Sequence, residues 1–88
     1  MEKIEEQVIV GKAHGLHARP ATIFVQLANK FNSSVMLKKD GETVDAKSII
    51  AILSLGVNKG MPVRLIVEGE DAQEALNELK CFLESETD

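Results

Sequence analysis

Two amphipathic segments with the period of an α-helix most constrain how this chain folds. Apolar residues recur three or four positions apart in residues 18–30 and 71–83, which predicts two helices that each bury one face. Asp71, with Glu74 three residues on, is typical of a helix N-cap. The predicted buried positions are Ala21, Phe24, Val25, Ala28 and Phe31 in the first helix, and Ala75, Leu76, Leu79, Phe82 and Leu83 in the second.

Short, half-apolar segments around these helices predict four strands. They are Gln7–Val10 with a start as early as Lys3, Ser34–Lys39, Glu42–Asp45 and Pro62–Val67. Asp40-Gly41 fits a two-residue hairpin turn, and Ser48 is expected to open a short helix that ends near Gly56. The order β-α-β-β-α-β-α predicts one α+β domain over residues 1–88, a four-stranded antiparallel sheet with three helices on one face.

The composition excludes some classes of function. The net charge is −4, which disfavours nucleic acid and anionic membrane as main partners because both reward a basic surface. No apolar run is long enough to span a bilayer, and the N-terminal segment lacks the apolar region of a signal peptide. Cys81 is the single cysteine and cannot form an internal disulfide, so a reducing cytoplasm is the expected compartment. Its side chain is predicted to be partly covered.

The stretch Gly15-Leu16-His17-Ala18-Arg19-Pro20-Ala21-Thr22-Ile23 carries the strongest functional signal. It places His17 at the predicted start of a helix, where unpaired amides and the helix dipole favour an anion. Arg19 adds a planar cationic group that matches phosphate oxygens. These residues predict a histidine that accepts a phosphoryl group. Cations lie between the acidic chain ends and predict a local cationic face: Lys12, Arg19, Lys30, Lys38, Lys39, Lys47 and Lys59.

This motif resembles the active-site signature of HPr, the histidine-containing phosphocarrier family of the bacterial phosphoenolpyruvate:sugar phosphotransferase system. A second block, residues 47–56 (Lys-Ser-Ile-Ile-Ala-Ile-Leu-Ser-Leu-Gly), resembles the regulatory-serine segment of that family at the matching spacing. The resemblance implies an open-faced β-sandwich. It also implies a stoichiometric carrier that is not an enzyme by itself and that uses neither cofactor nor metal.

The resemblance assigns roles to particular residues and partners. His17 accepts the phosphoryl group from phosphorylated enzyme I and passes it to the A-type domains of sugar permeases. Arg19 and the backbone amides of Ala18 and Arg19 bind that group. Because a carrier moves between partners, a monomer is expected.

Ser48 has a structural and a regulatory interpretation. As an N-cap, it stabilises its helix by about 1 kcal/mol. The resemblance adds reversible phosphorylation by a serine kinase/phosphorylase, with a transcriptional regulator as a further partner. A dianion at a helix start is tolerated by the fold.

The apolar residues after Ser48 predict a docking surface. Residues 49–53 are apolar around nearly the whole helix, and a two-layer domain buries one side only. Ile49 and Ile50, with Leu53 at the rim and Thr22 on the neighbouring helix, are therefore expected to contact partners. The alternative is a core helix with one awkwardly placed isoleucine.

His14 and the remaining alternatives stay open. The family usually has a small polar residue where this chain has His14. A metal pair of His14 with His17 lacks the third ligand that zinc normally takes, so a solvated loop residue is the favoured interpretation of His14.

The competing function for the whole chain is a regulatory or ligand-binding module on a ferredoxin-like α+β scaffold, which leaves the ordered Gly-x-His-x-Arg-Pro unexplained. A regulatory class of relatives lacks the active histidine, and His17 argues against that class.

Overall fold

The computed structural model describes residues 2–86, arranged as one antiparallel sheet covered by helices. The elements are β1 (Glu2–Ile9), α1 (Ala18–Asn29), β2 (Ser34–Lys39), β3 (Glu42–Asp45), α2 (Ile49–Leu55), β4 (Pro62–Gly69) and α3 (Ala72–Glu84). The strands lie in the order β1-β4-β2-β3. This confirms the predicted open-faced sandwich and its order of elements.

Strand β1 begins at Glu2, within one residue of Lys3, the earlier start that the sequence left open. It pairs along the whole of β4, from Glu2 opposite Gly69 to Ile9 opposite Pro62. The charged residues Lys3 and Glu5 alternate outward to solvent while Ile4 packs against the core. This edge strand has few apolar residues to reveal it, which explains why the sequence signal appeared only near its end.

The core lies between the sheet and the helices. Both predicted helical stripes are confirmed as buried, with Phe82 only partly covered. The helices contribute fully buried side chains to the core: Phe24 from α1, Ile52 from the shorter α2 and Leu79 from α3. The inward sheet residues complete the core: Val8, Val35, Leu37, Val63, Leu65 and Val67.

Two turns have the backbone conformation that the sequence predicted. Asp40 and Gly41 both have positive φ, 50° and 83°, at the hairpin between β2 and β3. Gly56 ends α2 in the left-handed conformation, and the Nζ of Lys39 donates to the carbonyls of Leu55 and Gly56 at 3.0 and 2.9 Å. The lysine thereby satisfies carbonyls that have no partner within the helix.

Asp71 has a different role from the predicted cap. It occupies the N-cap position of α3, but its side chain makes no cap hydrogen bond. The carboxylate instead accepts from the amides of Asn32 and Ser33, both at 2.9 Å, and from the Ser33 hydroxyl. Gly69 lies so close to Ser33 that a Cβ there would collide with it. Asp71 therefore joins the segment before β2 to the segment before α3, a contact that helix-local reasoning misses.

Cys81 is also placed differently from its prediction. It is exposed on α3, because it lies on the outer side of the helix, beside the stripe that contains Leu79 and Leu83.

We predict that Asp71→Asn destabilises the fold in a pH-dependent way. Hydrogen bonds, first that from the Ser33 hydroxyl, lower the pKa of the Asp71 carboxyl below its ordinary value of 3.8. Its contribution to stability is therefore complete above that value and is lost as pH falls through the lowered value. The urea midpoint of D71N should lie below that of the wild type at about pH 7, and the two should converge in acid.

Glu74→Gln is the matched control, since Glu74 is an exposed carboxylate in the first turn of the same helix. Equal losses of stability in E74Q and D71N would show that helix capping, not the contact with Ser33, is the source of the effect.

Candidate functional site

The loop before α1 is anchored to two other parts of the chain. Gly11 donates to the carbonyl of Leu83 at 2.8 Å, and a Cβ at Gly11 would collide with the carbonyl of Glu84. Lys12 is 2% exposed, with its Nζ 3.9 Å from the centre of the Phe82 ring. Lys12 thus belongs to the packing of the loop on α3 and not to the predicted cationic surface.

Gly15 fixes the position of the chain just before His17. It has a φ of +62°, and a Cβ there would collide with the Val57 carbonyl and lie 2.7 Å from the Asn58 Cα. The amide of Leu16 donates to the same Val57 carbonyl at 2.9 Å, and the Leu16 side chain is buried. Only glycine fits this close approach of two backbones.

His17 begins helix α1 with its side chain on the surface. It is the N-cap residue, its ring makes no cap hydrogen bond, and it is exposed. Its carbonyl accepts the first helical bond from Ala21 at 2.8 Å. Helix geometry leaves the amides of Ala18 and Arg19 without intrahelical acceptors, and Pro20 at the third helical position has no amide to leave unpaired. The structure brings together the predicted acceptor and the predicted phosphoryl-binding amides.

An open cleft of about 850 Å³ surrounds His17. Its lining joins two segments: Ala13, His14, His17, Ala18, Arg19 and Pro20 from the loop and α1, and Asn58 and Lys59 from the loop after α2. Every charged or titratable side chain in this lining is a cation or a histidine. The cleft is therefore suited to an anion.

Asn58 was not predicted as a site residue, and Lys59 was predicted only as one cation of the local cationic face. Both residues lie far along the chain from His17, with no local sign of contact with it. A tertiary contact places them at the site, because the hydrogen bond between Leu16 and Val57 brings the loop after α2 to the cleft.

The predicted cationic face is smaller than expected. Lys30 pairs with Glu78 at 2.8 Å, and the Nζ of Lys47 donates to the carbonyl of Phe31 at 2.8 Å. Lys39 caps α2. Of the predicted cations, Arg19 and Lys59 line the cleft.

Ser48 is the N-cap of α2. Its Oγ accepts from the Ala51 amide at 3.4 Å, and the residue is half-buried. The structural interpretation of Ser48 as a cap is therefore confirmed. The first turn of this short helix carries no acidic residue.

The apolar residues of α2 divide between core and surface. Ile50 is 74% exposed and Leu53 is 44% exposed, whereas Ile49 is half-buried and packs against the core. Thr22 is exposed on α1, and its hydroxyl donates to the Ala18 carbonyl at 2.7 Å. The exposed apolar surface of α2 therefore consists of Ile50 and Leu53, with Ile49 serving mainly the core.

Neither metal chemistry nor a membrane span is indicated in the described part of the chain. Residues 2–86 hold no group of three or more His, Cys, Asp or Glu side chains arranged to bind a metal ion. Among the same residues, no helix is long and apolar enough to cross a membrane.

Fold and site together define a small open-faced sandwich with an exposed histidine at a helix start, and comparison with known proteins gives its family. A family model described as "PTS HPr component phosphorylation site" matches residues 4–85. The chain therefore belongs to the HPr family of the phosphotransferase system.

Curated relatives and solved structures agree with this assignment. The HPr-like proteins Crh of Halalkalibacterium halodurans and Bacillus subtilis are 48% and 49% identical over 94% of this chain, and 99% and 98% of their own lengths. A crystal structure of phosphocarrier protein HPr from Bacillus anthracis is similar with a TM-score of 0.92 and 42% identity, covering 94% of this chain and 99% of that one.

One related structure bears on assembly. The crystal structure of Bacillus subtilis Crh, described as a catabolite repression protein and as a dimer with a swapping domain, is similar with a TM-score of 0.77. The two sequences are 49% identical, and the match covers 96% of this chain and 97% of the Crh chain.

We predict that Gly15→Ala is more damaging than Gly41→Ala. Both glycines have positive φ, but a Cβ at Gly41 meets nothing within 4 Å. G41A should therefore lose only roughly 1–2 kcal/mol of unfolding free energy from backbone strain. G15A should lose about 1–3 kcal/mol more, because the Val57–Asn58 backbone must move. Urea unfolding measures both, and equal losses would contradict the close approach at Gly15.

Proposed function

We propose that this protein is a cytoplasmic phosphocarrier, with the whole chain acting as one HPr-like domain. His17 accepts a phosphoryl group from phosphorylated enzyme I and passes it to the A-type domains of sugar permeases. The observation that carries this proposal is the His17 ring, exposed at a helix N-cap and unused as a cap, in a cleft whose ionisable groups are Arg19, Lys59 and two histidines.

The geometry fits the needs of phosphoryl transfer. The carrier supplies a nucleophilic ring nitrogen, and the rest of the task is positioning and neutralisation of charge. Arg19 and the amides of Ala18 and Arg19 supply donors for the phosphoryl oxygens. Exposure of the site lets a donor protein and then an acceptor protein reach the same ring.

Ser48 is proposed as the regulatory phosphorylation site. Its hydroxyl lies at the start of α2, where the helix dipole stabilises a phosphate. A serine kinase/phosphorylase and a transcriptional regulator are the proposed partners of this site. The catabolite-repression description belongs to Crh of Bacillus subtilis, and its likeness to this chain supports a regulatory role as the second candidate function.

Ile50 and Leu53, together with Thr22, are proposed as the partner-docking surface, with Ile49 at its buried edge. A monomer remains our proposal for the working carrier, although relatives described as dimers exist.

The principal test is phosphorylation by enzyme I, magnesium and phosphoenolpyruvate. The wild type should acquire an acid-labile, base-stable phosphate that His17→Ala lacks. Arg19→Lys should slow labelling by roughly tenfold or more, the equivalent of one charge-assisted hydrogen bond. Arg64→Lys is the matched control, because Arg64 is exposed on β4, outside the cleft lining. Absence of label on the wild type with a competent enzyme I would refute the carrier function.

We also predict that Ile50→Glu weakens partner binding while leaving stability nearly unchanged. A charge in an apolar contact should raise the Kd for enzyme I roughly tenfold or more, and an exposed side chain contributes little to folding. Ile9→Glu is the control, since Ile9 is 51% exposed on β1. Calorimetry gives the Kd values and thermal unfolding gives the Tm. A large drop in Tm for I50E, or an equal loss of binding in I9E, would contradict the docking surface.

A further inference from the structure

The outer face of the sheet, opposite the helices, places two cations directly beside each other. In the register of the strands, Arg64 of β4 lies opposite Lys38 of β2. Gln7 of β1 and Thr43 of β3 extend this row on either side, and all four side chains are exposed. Cross-strand partners have their Cβ atoms about 4.5–5.5 Å apart. Lys38 and Arg64 are therefore immediate neighbours of like charge.

Neither of these cations has a carboxylate partner. Within residues 2–86, the side chains of Lys38 and Arg64 take part in no ion pair or hydrogen bond. Glu5 and Asp45, carboxylates on the same face, belong to the next cross-strand row, and Asp45 accepts from the Lys47 amide at 2.9 Å. Like charges directly opposite each other destabilise a sheet. The pair therefore costs stability, and an anion that contacts both residues relieves the repulsion.

A concavity of about 200 Å³ lies beside the cation pair. Besides Lys38 and Arg64, its lining includes Lys39, which is engaged by the carbonyls at the end of α2, and the exposed Asp40 of the hairpin. The two unpaired cations outnumber this carboxylate. Small-molecule sites usually measure about 300–1,000 Å³. The concavity is therefore suited to one carboxylate side chain and not to a whole metabolite.

Apolar side chains border the cation pair on both sides. Ile9 and Pro62 lie opposite each other in one neighbouring row, and both are exposed. Met36 and Ile66 lie opposite each other in the other neighbouring row, and both are half-buried. A ligand that covers the cations therefore also meets apolar surface. A peptide segment supplies carboxylates and apolar side chains together, whereas a small anion supplies only charge.

The charge of the whole chain narrows the class of partner. Nucleic acid rewards a broad basic surface, whereas this chain has a net charge of −4 and presents two unpaired cations on this face. The same net charge opposes the approach of a second copy. The local charge is complementary to a short acidic segment, which needs only a few contacts.

We propose that the outer face of the sheet binds an acidic, partly apolar segment of a partner protein. Carboxylates of that segment contact Lys38 and Arg64, and its apolar side chains pack on Ile9 and Pro62. This surface shares no residue with the His17 cleft or with the docking surface proposed on α2. The partner is therefore a further protein, distinct from enzyme I and the permease domains, and the inference does not rest on the carrier function.

The first test is an NMR titration of 15N-labelled protein with a synthetic acidic peptide, acetyl-Gly-Glu-Glu-Leu-Glu-Glu-Leu-Gly-amide. Saturable shift changes should appear at the amides of Gln7, Lys38 and Arg64 and not at that of Ile50, with a Kd of about 1 mM or below. The same peptide with glutamine in place of every glutamate should not bind. Absence of saturable binding by the acidic peptide, or equal binding by the glutamine peptide, would overturn the proposal.

Charge variants show whether the two cations form the site. Lys38→Gln and Arg64→Gln should each raise the Kd for the acidic peptide roughly tenfold, as for the loss of one charge-assisted contact. Lys3→Gln is the matched control, because Lys3 is an exposed cation on the same face but lies opposite Glu68. Equal weakening in K3Q would reduce the effect to net charge and contradict a site at the pair.

Other occupants of this face are outcomes of the same experiment. Sodium citrate that produces the same shift changes at the same concentration would indicate a small-anion site. A single-stranded oligonucleotide that binds this face more tightly than the acidic peptide would indicate a nucleic-acid surface. Self-association in sedimentation velocity that K38Q abolishes would indicate a second copy. Each of these three results would overturn the assignment to an acidic protein segment.

The stability of the variants tests the repulsion independently of any ligand. K38Q should raise the urea midpoint above that of the wild type, and the gain should be larger at low ionic strength because salt screens the repulsion. K3Q should not raise the midpoint, since it removes an attraction to Glu68. A lower midpoint for K38Q would show that the two cations do not repel each other, and the proposal would fail with its premise.

Discussion

The close approach of two backbones at Gly15 and Val57 is the contact on which the site depends. One carbonyl, that of Val57, accepts from the Leu16 amide and lies where a Gly15 side chain would project. This contact fixes where α1 begins and draws Asn58 and Lys59 to the cleft. The exposed histidine is therefore held by buried neighbours on both sides, with Leu16 before it and Pro20 after it.

This arrangement separates stability from chemistry. The side chains proposed to act on phosphate are exposed, so they contribute little to the core. The residues that position them are buried or are glycines in special conformations. A site of this kind permits changes of its exposed side chains without loss of the fold.

The limits of the sequence predictions follow from the range of the interactions. Helix stripes, the Asp40-Gly41 hairpin and the Ser48 cap are local features with strong periodicity or turn chemistry, and the structure confirms them. Asp71 was assigned a local cap, but its partners lie 38 and 39 residues earlier in the chain. Lys12 was assigned to the cationic face from its position between the acidic ends of the chain, yet it is buried with its Nζ over the Phe82 ring.

The site residues show the same division. His17 and Arg19 came from one contiguous motif, whereas Lys59 joined them through a contact that no local pattern predicts. Ile50 and Ile49 are neighbours of identical type, and only the rotation of α2 against the core separates their exposures. Because a helix that is apolar all round has no distinct polar side, its sequence does not show which side faces the core. The structure was needed to assign the exposed face.

The separation of apolar and cationic surfaces has a consequence for how partners distinguish the two states of a carrier. A phosphoryl group changes the net charge from −4 to about −6, and all of that change falls in the cleft. Ile50 and Leu53 carry no charge and are the same in both states. In the proposed carrier, a partner's contacts with Ile50 and Leu53 would therefore be the same in both states, while its contacts with the cleft would depend on the phosphate. In the proposed function, a donor that complements the empty cationic cleft and an acceptor that complements the filled one would share the apolar surface, so the state of the cleft decides which partner binds.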